Sequence, residues 1–128
     1  MDYFSSNSML LMERSMNYLW TKQAAISDNI ANAETPNYKE KIVSFEENLR
    51  EKLDRAMSSS APRAKTREVL ESARVTVSTA QDSTRMDDNG VNVTEQMVEL
   101  VRNAYQLQYV MNAISTDMAT LRTAINGR

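Results

Sequence analysis

Cysteine and histidine are both missing from the 128 residues of this chain. Without them there is no disulfide, no thiolate nucleophile, and neither the commonest metal ligand nor the usual general base at neutral pH. Carboxylates, lysines and tyrosines remain, so catalysis is disfavoured rather than excluded. Glycine and proline occur only twice each, well below average usage, and this favours long uninterrupted elements. A net charge of −2 gives no electrostatic grip on nucleic acid. No run approaches the ~20 apolar residues of a membrane-spanning helix. A cleavable signal peptide is not expected either: Asp2 stands where a basic cluster would, and Met9-Leu10-Leu11-Met12 is cut short by Glu13-Arg14. The chain is thus expected to stay in the cytosol or to leave it by a route needing no removable signal.

What is present is heptad spacing at both ends. Met9, Met12, Met16, Leu19, Gln23, Ile26, Ile30 and Ala33 alternate by three and four with one polar member, Gln23. This is the spacing of a coiled-coil seam. Pro36 stops it, because the preceding Thr35 is pushed towards extended backbone. The spacing predicts a helix over 6–33. Val93, Met97, Leu100, Ala104, Leu107, Met111, Ile114, Met118, Leu121 and Ile125 keep the alternation with no polar exception. Asp88-Asn89-Gly90 is a turn signal, Asn92 an N-cap, and Glu95 the residue placed to reach back to it. A second helix is predicted over 93–126.

These helices carry little charge. Residues 94–128 hold six charged side chains and residues 5–33 hold four. A free-standing two-helix coiled coil carries charge along its solvated flanks. Here the flanks carry Ser, Thr, Asn, Gln and Tyr, with further apolar residues such as Leu10, Trp20, Val98, Val101, Tyr105 and Val110. Such helices read as packed on several sides, and one intramolecular pair as too little to hold them. The ends are therefore expected to be largely unfolded in the isolated chain and to fold on assembly.

Charge is concentrated between the helices: Lys39 to Arg74 holds sixteen of the thirty-two charged residues. Ile42, Phe45, Leu49 and Leu53 recur at helical spacing, and Ser44 with Glu47 has the pattern of a capping box, so a short helix is expected over 45–57. Ser58 to Pro62 reads as a linker. Val75-Thr76-Val77 reads as a short strand, which must pair locally or with another subunit, and 81–89 as polar loop. Arg50, Lys52, Arg55, Arg63, Lys65 and Arg67 are interspersed with acids, the pattern of a solvated surface. Chemistry is not evident. There is no glycine-rich phosphate loop and no nucleophile–base constellation. Asp82, Asp87, Asp88 and Asn89 lack the spacing of a calcium loop.

One segment exceeds coiled-coil grammar: Asn29-Ile30-Ala31-Asn32-Ala33-Glu34-Thr35-Pro36-Asn37-Tyr38. It resembles the signature of the flagellar rod and hook axial proteins, in which a long N-terminal helix ends in an Ala-Asn-Ala…Thr-Pro-Gly-Tyr turn. Small Ala31 and Ala33 would admit a close backbone, and Asn29 and Asn32 can bond backbone at a helix end. Where the family commonly has glycine this chain has Asn37, which also tolerates positive φ. Asn92 and Glu95, followed by Met97, Leu100 and Asn103-Ala104-Tyr105-Gln106, are similar to the family's entry into its last helix. The short length and the Thr-Pro-Asn-Tyr-Lys form point to the proximal-rod members of that family.

The resemblance implies a non-enzymatic structural subunit with no cofactor, exported through the flagellar type III apparatus without a cleaved signal. It would polymerise helically on the membrane-anchored MS ring, with the adapter protein FliE, other rod proteins and further copies of itself as neighbours. Its terminal helices would line the channel of a hollow shaft outside the cytoplasmic membrane. The expected fold is mainly all-α: an antiparallel coiled-coil pair of terminal helices, a short middle helix and a loop with a short β segment. Its expected divisions are 1–38, 39–90 and 91–128. The competing reading is a helical-hairpin secretion chaperone or partner-binding module, which has no need of the Asn29–Tyr38 segment.

Overall fold

The computed structural model describes residues 6–45, 49–80 and 90–127 of the chain. Six elements follow in order: α1 (Asn7–Ala31), β1 (Lys41–Phe45), α2 (Leu49–Met57), α3 (Pro62–Ser72), β2 (Val75–Thr79) and α4 (Val93–Asn126).

Helix α1 is the spine against which α4, β1 and α3 pack, while α2 packs on α3. Its start is fixed by Ser6, whose side chain accepts from the Met9 amide, as an N-cap serine should. Leu19, Ile26 and Ala33 recur every seven residues and are all buried, as are Ala25 and Asn29. The helix ends at Ala31, two residues before the expected point. Asn32 closes it by donating from both its backbone and its side chain to the Asp28 carbonyl.

Helix α4 begins at Val93, where the Asn92 side chain accepts from the Glu95 amide at 3.3 Å. It closes on Gly127, which supplies the left-handed conformation (φ 67°) of a helix terminus. At about 1.5 Å per residue, its 34 residues span about 51 Å, against about 37 Å for the 25 of α1. The pairs Asn29–Gln96, Lys22–Glu99 and Leu19–Asn103 join the two helices. Numbers fall along one as they rise along the other, so the helices run in opposite directions where they touch.

The middle region departs from expectation in two places. Ile42 and Phe45 lie in a strand, not at the start of a helix. β1 pairs antiparallel with β2, Val43 facing Val77 and Phe45 facing Val75, and the Ala80 amide to Glu40 carbonyl bond extends the ladder. The short strand expected around Val75–Val77 thus pairs locally. Helical spacing at Ile42 and Phe45 loses to this partner, because β-branched Ile42 and Val43 suit a pleated surface. Since Ser44 is in the strand it cannot cap α2, which starts at Leu49; its capping partner Glu47 lies outside the described residues.

The second departure is α3, where a charged surface was expected and a helix forms. Pro62 occupies its first turn, where a fixed φ helps and the missing N–H costs nothing. Arg67 and Glu71 form an i,i+4 ion pair at 2.7 Å. The apolar side of α3 packs on α2, burying Leu70 and Ala73 with Leu49 and Ala56. The predicted polar loop, with Asp82, Asp87, Asp88 and Asn89, lies outside the described residues.

Candidate assembly interface

The chain turns sharply after α1, and a knot of side-chain hydrogen bonds holds the turn. Asn29, 1% exposed, is its centre. Its Nδ2 donates to the Lys41 carbonyl (2.9 Å) and to Gln96 Oε1 (3.0 Å), and its Oδ1 accepts from the Lys41 amide (2.8 Å) and the Tyr38 hydroxyl (3.1 Å). All four bonds available to a primary amide are made. The pairing with both backbone groups of Lys41 copies a two-point strand contact, so a helix side chain initiates β1. Gln96 continues the network by donating from Nε2 to Glu40 Oε1 at 2.8 Å. Three elements, α1, β1 and α4, therefore meet on one asparagine.

Asn37, at φ 60°, is the one described non-glycine residue with positive φ, and its left-handed backbone carries the chain from Pro36 to Tyr38. The Thr35 hydroxyl donates to Asn32 Oδ1 at 3.2 Å. The electrostatics match these bonds. Burial pushes the Tyr38 phenol up, keeping it a donor. Burial, then the nearby Glu95 charge, pushes the Glu40 carboxyl up, opposed by the bond from Gln96. Around the rim, the bond to Asp28 at 2.7 Å raises the Lys41 ammonium. Lys22, at 2.8 Å, holds the Glu99 carboxyl below its ordinary range.

The predicted seam residues divide sharply between the two helices. On α1, Leu19 and Ile26 are buried and Met9, Met12, Met16 and Ile30 half-buried, all towards the body of the molecule. On α4, Leu100, Leu107, Ile114 and Leu121 are half-buried, while Ala104, Met97 (47% exposed), Met111 (55%), Met118 and Ile125 (72%) stand in solvent. The residues of α4 that are fully buried are the amides Gln96 and Asn103. The face that meets α1 is thus rotated by about 50° from the centre of the apolar seam, half of the 100° between successive helical residues. Amide partners on α1 explain the difference: Asn103 Nδ2 donates to the Leu19 carbonyl (3.0 Å) and to Gln23 Oε1 (2.8 Å).

Of the motif residues, Asn29 and Ala33 are buried, Asn32 and Tyr38 half-buried, and Ala31, Thr35, Pro36, Asn92 and Glu95 exposed. Sequence spacing did not single out Gln96, Lys41, Glu40 or Asn103. An available signal was that Gln23, the one polar member of the first seam, required a polar partner.

Val98, Val101, Tyr105 and Tyr109 are more than half exposed on α4, as is Trp20 on α1. With Met97, Met111, Met118 and Ile125 they leave α4 rich in exposed large apolar side chains, a feature that marks protein contacts. Among the described residues, a shallow groove near the far end is lined by α4 alone, through Ser115, Thr116, Ala119, Thr120, Thr123 and Ala124. There Thr116, Thr120 and Thr123 donate their hydroxyls back to carbonyls four residues earlier, at 2.9–3.0 Å, so these hydroxyls are satisfied within the helix itself. Among the described residues no group of acids is arranged to hold a metal ion.

Residues 13–39, from the second turn of α1 through Lys39, match the family model described as Flagella basal body rod protein. Over 126 residues the chain is 29% identical to the flagellar basal body rod protein FlgB of Bacillus subtilis (strain 168), covering 95% of each sequence.

Proposed function

We propose that this chain, which belongs to the flagellar basal-body rod family and is a structural rod subunit rather than an enzyme, occupies the proximal rod and assembles there helically into a hollow shaft. The observation that carries the reading is the set of large apolar side chains of α4, from Met97 to Ile125, that stand exposed among the described residues. In an assembled wall, those side chains and the seam residues Met97, Ala104, Met111, Met118 and Ile125 pack against helices of neighbouring subunits. The half-buried members Leu100, Leu107, Ile114 and Leu121 continue the same surface inwards, and α1 and α4 tighten into a coiled-coil pair as the wall closes. The terminal segments 1–38 and 91–128 are the building module, and 39–90 a lateral one.

Membership of the family entails association with other basal-body components. The finer expectation is contact with further copies, with other rod proteins, with the adapter FliE and with the MS ring, after passage through the type III export apparatus and outside the cytoplasmic membrane. Deletion tests the reading most directly: cells that lack the chain yet still build rods and swim would overturn it. Ala104→Glu alters an exposed position and is expected to leave export intact while blocking incorporation. Ile114→Asp is expected to act in the same direction.

A further inference from the structure

The heptad stripe Met97, Ala104, Met111, Met118 and Ile125 repeats as regularly as the row Leu100, Leu107, Ile114 and Leu121, yet it stays exposed while that row is half-buried. Two amides one heptad apart, Gln96 and Asn103, are buried in its place. Each meets a polar partner on α1: Gln96 bonds Asn29, and Asn103 bonds Gln23, the lone polar member of the first seam. Asn103 is 0% exposed, and its Oδ1 has no hydrogen-bond partner among the described residues. A buried amide with one acceptor unmet is a poor stabiliser. A single buried amide in a helix seam does, however, fix register and partner at a cost in stability.

We propose that Gln96 and Asn103 are positioning residues that decide which face of α4 meets α1, and so keep the methionine stripe turned outward. Hydrophobic burial alone favours a roll of α4 by about 50°, bringing Met97, Ala104 and Met111 onto α1. That roll breaks the Asn29–Gln96 and Gln23–Asn103 bonds together, and with them the bond from Asn103 to the Leu19 carbonyl. The amides act by selecting between two rotations of one helix. That the outward stripe then serves assembly rests on the rod-subunit reading; the orientation itself does not.

The absence of cysteine makes the test clean, because Met111→Cys gives the purified full chain a single thiol. In the parent background this thiol is expected to be alkylated by iodoacetamide nearly as fast as in the urea-unfolded chain. With Gln96→Leu and Asn103→Leu added, alkylation is expected to slow by at least about tenfold, as for a group that reacts only when its cover opens, while helical circular dichroism is retained. Unchanged reactivity in a still-helical double variant overturns the proposal. Should that variant fail to fold, the reciprocal exchange Gln23→Asn with Asn103→Gln decides instead. It is expected to restore parental reactivity and melting temperature that Asn103→Gln alone disturbs, and an exchange no better than the single change overturns the pairing. Motility of Ile125→Asp cells reports separately on the rod reading.

Discussion

The two ends of α4 invert the usual relation between burial and polarity. Its first turns are its most buried part, and what they bury is amide. Its last turns are its most exposed part, and they carry Met118, Leu121 and Ile125 on a flank of back-bonded threonines. The buried end obtains uniqueness from directional bonds, since amide pairs tolerate one register and one rotation. The exposed end obtains adhesion from apolar area, which is non-directional and indifferent to exact partner geometry. A chain needs the first to define its own shape and the second to join others.

This contrast can be broken most severely at Asn29. Asn29→Leu keeps the volume and strands the Lys41 amide and carbonyl, the Tyr38 hydroxyl and Gln96 Oε1. Urea unfolding should show a loss of about 2–4 kcal/mol, from several buried polar groups left unmet. A change too small to measure would mean the knot holds nothing. Tyr38→Phe removes one bond of the same knot and should cost about 1 kcal/mol in the same assay.

The carboxylates sharpen the contrast through pH. Glu99 is held below its unfolded value by Lys22, so its contribution is present above the ordinary carboxylate range and is lost as pH falls through the lowered folded value. Glu40 has the opposite sign. Its folded value is raised, so the native state favours the protonated form, and stability is full in acid and is lost as pH rises through the raised value. Melting curves across pH should therefore show Glu99→Gln flattening the acid limb. Glu40→Gln, which keeps an acceptor for Gln96, should raise the neutral-pH midpoint slightly, the difference vanishing in acid.

The smallest effect on stability is expected at the other end. Ile125→Asp lies on solvent and should shift unfolding by no more than about 0.5 kcal/mol, while swimming is lost. A large destabilisation there would show that the exposed face belongs to the fold of the single chain.

Much of this was legible in the residues because the signals were local. Asn92 and the long apolar period placed α4 at Val93–Asn126, and the Ala-Asn-Ala…Thr-Pro segment fixed the end of α1 to within two residues. Ile42 and Phe45 misled because their spacing fits a helix, and the partners that make them a strand, Ser78 and Val75, lie thirty or more residues later. α3 was missed because its charges outnumber its apolar residues. Pro62 in the first turn, with Thr66, Val69, Leu70 and Ala73 at three- and four-residue spacing, was the readable sign. The rotation of α4 was hidden for a different reason. Apolar periodicity measures where burial would be favourable, and the choice was made by Gln96 and Asn103, whose partners only the folded chain identifies.

Gripped near Gln96 and Asn103, and accompanied by no other element among the described residues at the groove from Ser115 to Ala124, α4 is a cantilever. A sideways force at the tip of a beam clamped at one end produces its greatest bending moment at the clamp. The hydrogen bonds around Asn29 sit at that clamp, where they resist rotation of the helix root as well as its separation. Neighbours laid along the free length would convert the cantilever into a beam supported throughout, shifting load from the root to the flank. A shaft built of such pieces would gain stiffness with each subunit added.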